Sequence, residues 1–203
     1  MVVLNGYTDG AVCTVLEVLS RLEGEFLPED PLLVHLADVA FRANLECAIA
    51  NLPPHWSGAI PAFPSDNPGF SYLATREDGR VTMTAEKEVI SNLASAGSYF
   101  FRRTREFNEA ARSAIAAEEK VRGAYFMCPL YNHLVRKGKP VMPIPVEYVA
   151  NLGNAAELRE IRVSPQPRGM CNGIGIQPWN RTRKSDSSRT VRGWRDAGGA
   201  EPL

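Results

Sequence analysis

The apolar positions change their period along the chain, and each change marks an element. Leu32-Leu33-Val34-His35-Leu36-Ala37 is an apolar-compatible run bounded by Pro31 and Asp38. It reads as a buried strand of a parallel sheet that ends abruptly in a carboxylate. Ahead of it, Met1 to Asn5 reads as a short buried strand, and Gly6 to Gly10 as a turn in which Thr8 or Asp9 can cap a helix. Val12, Val15, Leu16, Leu19 and Leu22 then share one helical face, which closes near Gly24. Strand, helix and strand make a βαβ unit and predict a parallel pair.

Phe41, Leu45, Ala48, Ile49 and Leu52 predict a second amphipathic helix, stopped by Pro53-Pro54. Ala59 to Phe63 predicts a strand that Pro61 weakens. Phe70 to Ala74 and Val81 to Ala85 flank an Asp78-Gly79 pair and predict an antiparallel hairpin, with Glu86-Lys87 at its end. Ser98 to Phe101 is a further strand, entered through Gly97. Phe107, Ala110, Ala111, Ala114 and Ile115 give a third helix, from Thr104 to a stop at Gly123. A short helix follows around Leu130 to Arg136, with Gly138 as its stop. Val141 to Val149 holds two prolines and predicts an edge strand at best, and Leu152 to Leu158 a turn into one helical turn.

The whole reads as an α/β domain with a mixed, mostly parallel twisted sheet flanked by helices, over residues 1–160. Residues 161–203 differ in character: Gly, Pro, Ser and Arg dominate, and apolar periodicity vanishes. They read as a disordered tail. The basic run Arg181-Thr182-Arg183-Lys184 raises a nucleic-acid-binding arm as a second idea, with no aromatic interleaving beyond Trp179 and Trp194.

Charge changes this picture little. Lys plus Arg and Asp plus Glu balance at 23 each, so no global field points to nucleic acid or to a membrane surface. No apolar run reaches the length of a membrane span, and no signal-type core opens the chain. Cys13, Cys47, Cys128 and Cys171 form no CxxC pair, which disfavours a zinc ribbon and fits reduced thiols in a cytoplasm.

Read residue by residue, the candidate chemistry stays open. Asp38 either caps the helix expected after it or, at the carboxyl edge of a sheet strand, holds a metal ion against a phosphate. Glu86-Lys87 reads as a solvated turn, Gly97 as a bulge and Tyr99 as core packing. His35 reads as a satisfied core histidine, His55 as a loop residue and His133 as an exposed helix position. Cys128 reads as an inert buried thiol, and no Ser/His/Asp or Cys/His constellation supports nucleophilic catalysis.

The order of several segments changes the weighting. Thr8-Asp9-Gly10-Ala11-Val12-Cys13-Thr14 opens a helix, Pro31 to Asp38 is a strand ending in an aspartate, and Gly79-Arg80-Val81 leads to Ala85-Glu86-Lys87. Ala96-Gly97-Ser98-Tyr99-Phe100-Phe101 follows, and Leu152-Gly153-Asn154-Ala155-Ala156-Glu157-Leu158 closes the series. In this order they resemble the sugar-1-phosphate nucleotidyltransferases, the sugar-nucleotide pyrophosphorylases related to glucose-1-phosphate thymidylyltransferase, over about residues 2–158.

The resemblance implies a nucleotide-diphospho-sugar transferase-like fold. It also implies displacement of pyrophosphate from a nucleoside triphosphate by a sugar 1-phosphate. By the same resemblance Asp38 binds Mg²⁺ and acts in catalysis with Lys87, which contacts the phosphate. Gly10 lies beside the nucleotide, Glu86 accepts from sugar hydroxyls, Gly97 permits close backbone approach, and Tyr99 lines the sugar pocket. Two segments depart from the family. Its Gly-rich triphosphate loop has no counterpart here, since Gly173-Ile174-Gly175 lies in the polar tail, so the domain reads as truncated at its N-terminus. Gly123 to Asn132, where the family carries a further metal-site carboxylate, holds no acid. A GT-A-type glycosyltransferase is the rival enzyme; it would want an Asp-x-Asp pair where Leu36-Ala37-Asp38 offers one carboxylate. A domain that only binds sugar phosphate or nucleotide is the rival non-enzyme.

Overall fold

A computed structural model describes residues 2–25 and 27–152. The helical turn expected up to Leu158, the tail over 161–203 and the glycines at 173 and 175 lie outside these residues. The described elements are α1 (Ala11–Arg21), β1 (Leu32–His35), β2 (Val39–Arg42), α2 (Leu45–Ala50), β3 (Gly58–Pro64), β4 (Ser71–Thr75), β5 (Val81–Glu86), β6 (Leu93–Ser95) and β7 (Ser98–Phe101). They continue with α3 (Thr104–Ala116), a 3-10 turn (Cys128–Leu130), α4 (Tyr131–Arg136), β8 (Val141–Pro145) and β9 (Tyr148–Asn151). No helix among these residues is long and apolar enough to cross a membrane.

A seven-stranded sheet forms the centre, in the order β1-β7-β3-β6-β4-β5 with β8 on β3. β6 and β7 behave as one bent strand along β3. Ala62 faces Ser95 and Ala59 faces Phe100, so Ile60 and Pro61 stand against the four residues from Ala96 to Tyr99. The two surplus residues force a bulge at Ala96-Gly97. Beyond that bulge the sheet forks: β1 pairs with the β7 half and β4 with the β6 half.

Both faces of the sheet are covered. The apolar stripes of α1 and α3 pack on one face with Ile60, Leu73, Tyr99, Phe101 and Tyr131. Tyr131 stacks on Phe101 at 4.6 Å between ring centroids, and its hydroxyl donates to the Phe100 carbonyl at 2.8 Å. The opposite face is a smaller cluster of Leu52, Trp56, Ala59, Phe100, Met142 and Ile144 under α2.

The α/β class and the mixed sheet agree with the sequence reading, but the parallel share is smaller than expected. Among the described ladders only β3 with β8 is parallel. Val2 to Leu4 is not a strand; the Val3 carbonyl instead accepts from Arg21 Nη1 at 2.6 Å. The βαβ unit therefore does not form, and β1 pairs antiparallel with β7, whose Tyr99, Phe100 and Phe101 are all buried. The pattern gives strand identity but not partner, because partners distant in sequence leave no local mark.

Three boundaries also move. Val39 to Arg42 is a strand paired with β9 rather than the start of a helix. The helix begins at Leu45, where Asn44 Oδ1 accepts from the Cys47 N–H at 3.0 Å. α3 ends at Ala116 and not at Gly123, before left-handed residues at Glu118 and Arg122.

The prolines sit where the sheet tolerates them. Pro61 lies in a central strand, yet on the side where β7 hands over to β6, and its carbonyl still accepts from Ala96 N–H at 2.8 Å. β8, with Pro143 and Pro145, is the edge strand expected.

The opposite edge is closed by one side chain. The Asn132 amide accepts from Thr84 N–H at 2.8 Å and donates to the Thr84 carbonyl at 2.9 Å, as a neighbouring strand would. Asn132→Ala leaves both groups unpaired beneath α4 and is expected to cost about 2 kcal/mol. The urea midpoint of the variant measures it; an unchanged midpoint would mean that water replaces the amide fully.

Candidate functional site

The fork brings separate segments to one place. β1 is tied into it by Leu36 N–H donating to the Gly97 carbonyl at 2.9 Å. Gly97 has φ 71°, and its N–H donates to Ser95 Oγ at 3.2 Å. A Cβ there would stand 3.1 Å from Val39 Cγ2. Glycine is thus required by the fold, since the space beside it belongs to Val39 and Leu36. Asp38 lies two residues past Leu36, in the turn before β2. Its carboxylate is exposed, and its main-chain carbonyl accepts from Leu152 N–H at 2.6 Å.

On the other branch, Ser71 opens β4 and Glu86 closes β5 as cross-strand partners. Tyr72 faces Ala94, so the start of β4 points toward the bulge. The half-buried Glu86 carboxyl is pushed above its ordinary 4.5 by burial, against the pull of the Ser71 hydroxyl, Lys87 and Arg122. Lys87 turns the chain with φ 55°, its N–H donates to the Phe70 carbonyl at 3.0 Å, and its ammonium lies 5.2 Å from the Phe126 ring centroid. That face contact holds the charge without neutralising it.

Arg122, exposed and with φ 49°, brings a second cation to Glu86. It was missed in the sequence, where an arginine before a glycine looks like any solvated turn. The same segment reaches Gly10, whose φ is 103° and where a Cβ would meet the Tyr125 carbonyl at 2.5 Å. Tyr125 N–H donates to the Asp9 carbonyl at 2.8 Å, so the start of α1 is fastened beside the stretch that carries Arg122 and Phe126. Neither Thr8 nor Asp9 caps α1 by its side chain; the Asp9 carboxylate pairs with Lys120 at 2.7 Å instead.

Tyr99 reaches the fork from beneath. It is 2% exposed, accepts from Ser95 Oγ at 3.2 Å, and burial raises its hydroxyl above the ordinary range. Cys128 is buried and its thiol is likewise pushed up, which makes it inert. His35 is bonded to Ser98 Oγ across β1 and β7. His133 is not the exposed position expected: it is buried, with Nε2 2.9 Å from Glu119 Oε2, because α4 turns this face toward α3. Among the described residues no group of three or more His, Cys, Asp or Glu is placed to hold a metal ion.

No protein-family model and no curated protein matches the sequence. Solved structures do match. A nucleoside-diphosphate-sugar pyrophosphorylase from Vibrio cholerae RC9 aligns with a TM-score of 0.63 at 26% identity, over 77% of this chain and 66% of that one. A structure described as a glucose-1-phosphate thymidylyltransferase from Bacillus anthracis, in complex with sucrose, aligns with a TM-score of 0.58 at 17% identity. It covers 76% of this chain and 61% of its own, and bears on the fold alone. This chain is a mixed α/β domain with a nucleotidyltransferase-like fold. Its resemblance to the sugar nucleotidyltransferases holds in structure as well as in sequence order.

Two predictions follow from this geometry. Gly97→Ala places a Cβ against Val39 in a left-handed backbone and is expected to destabilise the fold by about 1–3 kcal/mol, read by thermal unfolding. The second concerns pH. Between 4.5 and its raised value, folded Glu86 keeps a proton that the unfolded chain has lost. Stability contributed by this group is therefore present below 4.5 and falls as pH rises through that window. Glu86→Gln is expected to remove that slope from stability measured against pH, and an identical slope in the variant would contradict the assignment.

Proposed function

We propose that the fork binds a sugar phosphate and that the chain supplies this half of a nucleotidyl-transfer site. The observation that carries the reading is the end of β5. There a half-buried carboxylate and an ammonium are consecutive, and the charge of Arg122 acts on that carboxylate in the same direction as Lys87. A carboxylate accepts from vicinal hydroxyls and the two cations receive a phosphate, the combination that a sugar 1-phosphate presents. The Vibrio cholerae pyrophosphorylase, by its name, acts on nucleoside-diphosphate sugars, and its likeness to this chain supports the same substrate class here.

In the reaction so inferred, a sugar-phosphate oxygen forms a bond to the α-phosphorus of a nucleoside triphosphate. The bond from that phosphorus to the pyrophosphate oxygen breaks, and the electron pair leaves with pyrophosphate. Two anions must approach, so positive charge matters more than a general acid or base. Lys87 and Arg122 lower the repulsion at the attacking phosphate. Gly10, beside the Arg122 segment, stands on the nucleotide side of the reading, and Tyr99 supports the pocket floor.

Asp38 fits a magnesium ion held by one carboxylate and completed by phosphate oxygens and water, and it does not fit an all-protein cage. Such an ion would supply cationic charge to the phosphates. Asp38 is exposed and its carboxylate makes no ion pair among the described residues, so it is available for that role.

Calorimetry and thermal shift with a panel of sugar 1-phosphates test the reading. Wild-type protein is expected to bind and to melt higher, and Lys87→Ala to bind at least about tenfold more weakly. Pyrophosphate release with each nucleoside triphosphate and Mg²⁺, lost in Asp38→Ala, would extend the reading to full transfer. Folded protein that ignores every sugar phosphate would overturn it.

A further inference from the structure

Ser71 stands directly across the β4–β5 ladder from Glu86, and its hydroxyl donates to Glu86 Oε2. No other hydrogen bond among the described residues is made by that carboxylate. The groups around it come from four places. Lys87 follows it just past β5, Arg122 lies in the segment after α3, Tyr99 comes from β7 and Cys128 from the turn before α4. Lys87 and Arg122 favour the anion while burial opposes it, so the two influences are opposed at this carboxylate.

A glutamate has three rotatable bonds, and a half-buried one with no fixed partner would turn or take up a proton. We propose that Ser71 is a positioning residue: its hydroxyl occupies Oε2, fixes the Glu86 side chain at the mouth of the fork, and leaves Oε1 free to accept from a ligand hydroxyl. This inference rests on the fork being a sugar-phosphate site and names the residue that shapes its carboxylate. A purely structural serine would tie β4 to β5 and nothing more, which the ladder itself already does through five residue pairs.

Two readouts separate these cases, both on the full chain. The first is the pH titration of the Glu86 carboxyl carbon by NMR, assigned with Glu86→Gln, and it needs no ligand. Ser71→Ala is expected to move the midpoint upward, and Ser71→Thr to restore it. Ser71→Cys, which keeps the volume with a weak donor, is expected to behave as alanine. The second is calorimetry with glucose 1-phosphate, expected to weaken about tenfold in Ser71→Ala and to recover in Ser71→Thr. Melting temperatures identify any variant that has lost its fold.

A midpoint that stays put or moves down in a folded Ser71→Ala or Ser71→Cys variant overturns the role of Ser71. A wild-type chain whose midpoint responds as expected, but which shows no heat with any sugar 1-phosphate, overturns the reading of the fork. It leaves the action of Ser71 on the carboxylate standing.

Discussion

Two extra residues in one strand set the geometry of the whole molecule. Because Ala96 and Gly97 bulge against Ile60 and Pro61, the strand that carries them bends, and its outer edge can no longer be followed by one neighbour. β1 takes one half and β4 the other. Asp38 follows β1 on one branch, and the start of β4 and the end of β5 lie on the other. The left-handed Gly97 and its close packing on Val39 hold the bend open.

Packing under the fork makes it rigid. Tyr99 and Ser95 are bonded to each other in the buried layer, and Tyr131 locks onto Phe101 and the Phe100 carbonyl from the helix side. Gly58 allows this approach, for a Cβ there would stand 2.7 Å from the Tyr131 ring. The polar groups that face outward at the fork are thus mounted on a floor whose own polar atoms are already satisfied. This leaves the carboxylate of Glu86 and the two cations to respond to whatever enters.

Much of this was legible in the sequence, for reasons that differ between elements. α1, β3, the β4–β5 hairpin, β7 and α3 were read from their apolar patterns, because burial of one face or of both dictates residue type locally. The partner of β1 was not, since Phe100 and Phe101 lie far along the chain and only their packing selects it. Val39 to Arg42 was read as helix because Phe41 happens to fall in phase with Leu45 and Ala48. Asp38, Gly97 and the Glu86-Lys87 pair enter as candidates through the order of motifs. Arg122 does not, because its electrostatic influence on Glu86 depends on a tight turn after α3 that no local pattern announces. Tyr99 was expected at the pocket wall and lies beneath it.

Lys87 and Arg122 share one further property: both hold left-handed backbone, at φ 55° and 49°, where a glycine would rest without strain. Keeping a long cationic side chain at each such corner lowers stability by about 1 kcal/mol or more. A chain selected for stability alone would put glycine at both. The retained strain has a kinetic reading. The corners fix where each stem leaves the backbone before any anion arrives, so little reorganisation remains when one does. If the fork takes an anion as proposed, capture would run near the rate of encounter, faster in dilute salt and slower as ions screen the two charges.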